Sequence, residues 1–286
     1  AIVVIENIVR RLEKGEVPAT AAQAGTSQIA LAVLAVACAS TLPADPPGNS
    51  NGLLTIIPTS GMMSPVSTGL TDEWQSIAYS EPLDCLVVVG AGANPLAYSL
   101  SGAGTLTAAA GVTGALYKVR WIDRLRRFVA VGNGVAYYSN DGVNWVACTG
   151  VSTQQWRDLA DSPDLGIVVA VSQDYNTSGT RDNIAWSADG ITWTKLATTP
   201  TLDPLSAVGW SSDDMEFIAL TSSGTTRAFR SSDGLNWVTL VSVGGVSPDT
   251  RENYVVKHLP DVGMWLAMGN GWLMNSPDGT HWWATV

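Results

Sequence analysis

Charge is scarce in this chain. Only 14% of its 286 residues are Asp, Glu, Lys or Arg, well under the roughly 25% of an average soluble protein. Lys and Arg number 15 against 25 Asp and Glu, for a net charge of −10. Phosphate backbones demand clustered cations, so nucleic acid is excluded as a general ligand. Cysteine is scarce too: Cys38, Cys85 and Cys148, with no C-x-x-C pair. That count and spacing argue against a disulfide framework and a structural zinc site. The two histidines, His258 and His281, have no metal-ligand neighbour at useful spacing, so neither a metal nor a cofactor is expected. The longest apolar run, Ile29 to Ala39, has eleven residues. A bilayer span needs about 20, so no membrane span is expected. That run also lacks the basic n-region of a signal peptide close to the N-terminus. The chain opens on Ala rather than Met, which leaves a processed N-terminus open.

What is abundant is tryptophan, twelve residues against three Phe. Four of them close copies of one phrase, Ser-x-Asp-Gly-x-x-Trp. The copies are Ser139, Asp141, Gly142 and Trp145; Ser187, Asp189, Gly190 and Trp193; Ser231, Asp233, Gly234 and Trp237; and Ser276, Asp278, Gly279 and Trp282. They start 48, 44 and 45 residues apart. A period of that length is what a ring of four-stranded sheets produces, one unit per sheet. Asp-Gly between strands is a hairpin signal, because Gly takes the positive-φ position at little cost. The Ser and Asp side chains can accept backbone N–H groups of the turn. The Trp then packs its large ring into the sheet. One carboxylate per turn is too few for a calcium site.

Five units align from Trp74 to the end, about 43 residues each. Each has a short opening strand (Trp74–Tyr79, Leu116–Trp121, Trp156–Ala160, Leu205–Trp210, Tyr254–His258). A dense apolar strand follows (Cys85–Val89, Phe128–Val131, Ile167–Val171, Phe217–Leu220, Met264–Met268). Such runs predict strands covered on both faces. The expected fold is therefore all-β, a five-bladed β-propeller of four-stranded antiparallel blades over residues 73–286. The first unit keeps the strands but lacks the Asp and Trp of the turn. Residues 1–42 differ. Ile2, Ile5, Ile8, Val9 and Leu12 recur at helical steps, and Ala19–Ser40 is apolar nearly all round. This predicts an α-helical segment that needs burial by other chains or by self-association. Residues 43–72, rich in Pro and Gly, read as a linker with one short strand at Leu53–Ile57, which could complete a blade or a partial sixth.

The repeat resembles the Asp-box, or BNR, repeat of sialidases and related propellers, in a variant one residue shorter in the turn. In that family the hairpin sits on the blade's outer rim, away from the axis, and carries no chemistry. The short variant attached to an assembly segment resembles virion components of tailed bacteriophages: tail, baseplate or fibre-associated proteins. This resemblance implies a non-enzymatic structural or binding role in a virion. The partners it implies are other virion proteins, the chain's own copies through residues 1–42, and a cell-surface glycan. Two alternatives remain. One is a free glycan-binding module, extracellular or on a cell surface. The other is a sialidase-like glycoside hydrolase, for which Arg120, Arg157 and Glu216 are the candidate residues. Converging carboxylates are not evident. The candidate binding loop is Ser172–Asn183, with Tyr175, Arg181 and Asp182 able to hydrogen-bond or stack on a ligand. Val243–Glu252 is expected on the same end of the ring. The basic stretch Arg120–Arg127 is either a solvated tip or a contact for an acidic partner.

Overall fold

A computed structural model describes residues 52–56, 63–67, 70, 72–100, 105–151, 154–174, 183–197, 204–221, 228–240, 253–269 and 272–285. The helices expected in residues 1–42 lie outside them, as do Tyr175, Arg181, Asp182 and the stretch 241–252.

Five four-stranded antiparallel sheets follow one another along the chain. The first blade comprises β3 (Glu73–Ser80), β4 (Cys85–Ala91), β5 (Leu96–Leu100) and β6 (Thr107–Ala108). The second has β7 (Leu116–Ile122), β8 (Arg127–Gly132), β9 (Ala136–Ser139) and β10 (Val146–Ala147). The third has β11 (Trp156–Ser162), β12 (Ile167–Ser172), β13 (Ile184–Ser187) and β14 (Thr194–Lys195). The fourth has β15 (Leu205–Ser211), β16 (Glu216–Thr221), β17 (Ala228–Ser231) and β18 (Val238–Leu240). The fifth has β19 (Asn253–Leu259), β20 (Met264–Gly269), β21 (Trp272–Ser276) and β22 (Trp283–Thr285). Within each blade the strands pair in chain order. The architecture is the expected five-bladed β-propeller. In residues 43–72, where one strand was expected, there are two: β1 (Gly52–Ile56) and β2 (Met63–Ser67) pair as an antiparallel hairpin.

The inner strands pack in succession, β3 on β7, β7 on β11, β11 on β15 and β15 on β19. Four hydrophobic cores lie between the blades rather than within them. Cys85, Val87, Val89 and Leu96 of blade one meet Leu116, Val119, Phe128 and Ala130 of blade two. Val129 and Val131 of blade two meet Trp156, Leu159, Val168 and Ala170 of blade three. Val169 and Val171 then meet Val208, Phe217 and Ala219, and Ile218 and Leu220 meet Val256, Trp265 and Ala267. Successive side chains of a strand point to opposite faces. The second strand of an internal blade therefore feeds two cores, which is why Phe128–Val131 and Ile167–Val171 read as unbroken apolar runs. At about 25 cal/mol per Å² of apolar surface removed from water, these cores are the main stabilising term.

Each inner strand carries a bulge near its start, at Trp74/Ser76, Leu116/Lys118, Trp156/Asp158, Leu205/Ala207 and Asn253/Val255. A bulge adds one residue and turns the strand. The extra residues include Tyr117 and Arg157, and these two come together from adjacent blades.

Candidate functional site: turn fasteners and an inner-strand cation cluster

The four Ser-x-Asp-Gly-x-x-Trp turns share one internal network. In each, the Ser hydroxyl donates to the Asp carboxylate at 2.9–3.1 Å. The Asp Oδ1 also accepts the backbone N–H groups two and three residues on, as with Val143 and Asn144 at 2.9 and 2.8 Å. The Ser oxygen accepts the glycine N–H in three of them, at 2.8–2.9 Å. The indole N–H of Trp145, Trp237 and Trp282 donates to the glycine carbonyl at 2.8–3.0 Å. Partial burial pushes Asp141 upward, but the Asn144 side chain and the backbone donors outweigh it and hold the carboxyl at about 2. Asp233 and Asp278 are held at about 2 by the same kind of network, and Asp189 is lowered likewise. In all four turns the Asp Oδ1 is engaged by the turn itself.

These turns also fasten neighbouring blades. All four glycines have φ between +67° and +79°. A Cβ on Gly142 would stand 2.4 Å from Cys85 Sγ of blade one, and one on Gly190 3.0 Å from Val129 of blade two. Gly234 faces Ile167 and Val169 of blade three, and Gly279 faces Ile218 of blade four. Each turn thus seats on the second strand of the preceding blade, a placement that the sequence did not suggest. The basic stretch Arg120–Arg127 turns out to work in the same way. Its 3-10 turn, Asp123–Leu125, sends Arg124 Nε to Asp161 at 2.8 Å and its Nη1 to the Ala188 carbonyl at 3.1 Å. Arg127 Nη1 reaches the Asp189 carbonyl at 2.8 Å. These two arginines clasp blade three, and neither is a free contact for a partner.

A second cluster lies on the inner strands of blades two and three. Lys118 Nζ stands 3.0 Å from Asp158 Oδ1, and Arg120 Nη2 stands 3.7 Å from the same oxygen. Asp158 is 1% exposed, and its Oδ2 accepts the Val208 N–H of blade four at 3.0 Å. Burial pushes the Lys118 ammonium below its ordinary value, against the pull of Asp158. The Arg157 guanidinium lies over the Tyr117 ring, 3.9 Å from its centroid, and donates to Gln155 Oε1 at 3.3 Å. The Nε atoms of Arg120 and Arg157 are buried without a hydrogen-bond partner among the described residues. Two cations therefore face one carboxylate, and a third stacks nearby, in an acidic chain. The sequence had placed Arg120 and Arg157 on inner strands but missed Lys118 and Asp158, whose partnership crosses 40 residues of chain.

Glu216, the other candidate for hydrolysis, is not brought near them. Arg157 occupies the bulge at the start of β11. Glu216 opens β16 and pairs with Ser211 at the far end of its inner strand. Burial raises the Glu216 carboxyl, with Arg230 opposing. The histidines are also apart. His258 is buried with its ring nitrogens 3.7 Å from Asp213 and Asp214, and His281 Nδ1 lies 2.5 Å from Asp278. Among the described residues no cluster of three His, Cys, Asp or Glu could hold a metal ion. Among them, too, no helix is long and apolar enough to cross a membrane. Cys85 and Cys148 are free thiols, pushed by burial to about 11 and about 12.

No family profile matches the chain, and no curated protein does. Solved structures do. The structure described as "YCF48 bound to D1 peptide" superposes with a TM-score of 0.56 at 18% identity, over 83% of this chain and 75% of that one. A chain of the "Nidogen/Laminin Complex" superposes with a TM-score of 0.52 at 11% identity, over 77% of this chain and 87% of that one. At such identities the likeness shows the fold, a β-propeller.

Proposed function

We propose that this protein is a non-enzymatic binding propeller that captures an acidic segment of a protein partner on the inner strands of blades two and three. The observation that carries this reading is the surplus of cations there: Lys118, Arg120 and Arg157 beside Asp158, with Asp161, which also feels Arg120, already bonded to Arg124. A carboxylate ligand would take charge-assisted bonds from the Arg120 guanidinium, whose side chain is 36% exposed. The two superposing propellers are described in complexes, one with a peptide and one with a protein. That supports a protein partner over a small substrate. The four turns, with every carboxylate engaged internally, support scaffolding rather than catalysis at the rim.

The wider setting we propose is a tailed-bacteriophage virion, with the propeller displayed by residues 1–42 in a tail, baseplate or fibre-associated protein. It rests on the short turn variant and on the order of segments. An acidic host-surface glycan would meet the same cations and is the second reading.

The test uses the full chain. Its binding to arrays of Asp/Glu-rich peptides and of sialylated glycans is compared with that of Arg157→Gln and Arg120→Gln. Peptide binding that weakens at least about tenfold in both variants, a loss of about 1.4 kcal/mol, supports the proposal. Binding should also weaken with salt. Binding to glycans alone selects the second reading. Release of fluorophore from a sialoside, lost in Glu216→Gln, would overturn the non-enzymatic role.

A further inference from the structure

The two ends of the run of blades differ. In β8, β12 and β16 every residue after the first is buried. In β20 burial alternates: Trp265 and Ala267 are buried, while Met264, Leu266 and Met268 are half-exposed. Those three and Leu273 form the outward face of blade five, which no described strand covers. Blade one shows the opposite. Val88 and Ala97 pair across β4 and β5 on its outward face. Neither joins the core shared with blade two, yet they are 1% and 0% exposed.

The hairpin β1–β2 has the place in the chain that a missing neighbour requires. The third strands of the five blades start at Leu96, Ala136, Ile184, Ala228 and Trp272, at steps of 40, 48, 44 and 44. β1 starts at Gly52, 44 residues before Leu96, and so falls on the same period. Six residues, 57–62, separate β1 from β2. Six also separate the third and fourth strands in every blade: 101–106, 140–145, 188–193, 232–237 and 277–282. The connection from β2 to β3 is five residues, 68–72. The six Cα steps from Ser67 to Glu73, at about 3.4 Å each, reach roughly 20 Å, enough for a sheet-to-sheet step of about 10 Å.

We propose that the hairpin strands β1 and β2 are the outer half of a sixth blade. One face of the hairpin lies on the outward face of blade one. The other covers Met264, Leu266, Met268 and Leu273 of blade five, so that the chain closes its own ring.

The experiment places a photoreactive p-benzoylphenylalanine at Leu54 and, separately, at Thr55 in the full chain. Adjacent strand residues face opposite ways, so the two probes sample both faces. After irradiation, mass spectrometry is expected to find intrachain adducts to residues 85–100 from one position and to residues 264–275 from the other. Adducts to only one of these blades, adducts between chains, or no adducts would overturn the proposal. An independent reading needs no substitution. Under mild peroxide in the monomeric full chain, Met264 and Met268 should oxidise several-fold more slowly than exposed Met215. Equal rates, or protection seen only in oligomers, would overturn it as well.

Discussion

Asp158, on the inner strand of the third blade, accepts the backbone N–H of Val208 in the fourth at 3.0 Å while its other oxygen meets Lys118 of the second. One carboxylate thereby ties three blades at their inner edges. Ser76 does the same between the first two blades, accepting the Val119 N–H at 3.3 Å. Inner strands have a free edge, and a side chain just past the bulge satisfies the next blade's donor there.

Removing that carboxylate strands a buried cation. Asp158→Ala should cost roughly 3–5 kcal/mol in urea unfolding, because breaking one partner of a buried pair leaves the other uncompensated. Adding Lys118→Met should restore some of this loss. A double variant no more stable than Asp158→Ala would mean that Lys118 is already well solvated.

The turn aspartates make stability sensitive to acid. Asp141, Asp233 and Asp278 have folded values of about 2 against an ordinary 3.8. A depressed carboxyl contributes stability that is present above pH 4 and is lost as pH falls toward 2. The denaturation midpoint, followed by tryptophan fluorescence, should therefore decline across that window. Asp233→Asn should flatten the decline. An unchanged midpoint from pH 5 to 2 would contradict the networks described.

Trp193 is 3% exposed and belongs to the core between blades two and three. Trp193→Ala should cost roughly 3–5 kcal/mol. A loss below ~1 kcal/mol would place the ring in solvent instead.

Two glycines with similar φ separate strain from crowding. Gly166 (φ +69°) has open space where a Cβ would stand, whereas at Gly150 (φ +77°) the Cβ would lie 1.9 Å from the Trp193 carbonyl oxygen. Gly166→Ala should cost about 1–2 kcal/mol of left-handed strain. Gly150→Ala adds overpacking of roughly 1–3 kcal/mol. Thermal melts should rank them in that order, and equal losses would show that the backbone at Trp193 yields.

The blade pattern was readable from the sequence because it is local. A four-residue turn signal and a two-residue side-chain period repeat every 40–48 residues, and each blade's second strand announces its double burial by composition alone. The opening strand of blade five was expected to start at Tyr254 and starts at Asn253, a difference within ordinary end fraying. The second strand of the linker hairpin escaped the sequence, since β1–β2 lacks the Asp, Gly and Trp that marked the other hairpins.

Sequence by itself determined the all-β class, the number of four-stranded units and the internal hydrogen bonding of the turns, because these depend on residues within about six positions of one another. Only the tertiary structure decided that each turn glycine rests on the blade before it, that Arg124 and Arg127 clasp blade three, and that Lys118, Arg120 and Asp158 share one charge cluster. Those meetings join residues 37 to 67 apart, and such pairings arise from the ring geometry, which brings neighbouring blades face to face and leaves no periodic trace along the chain.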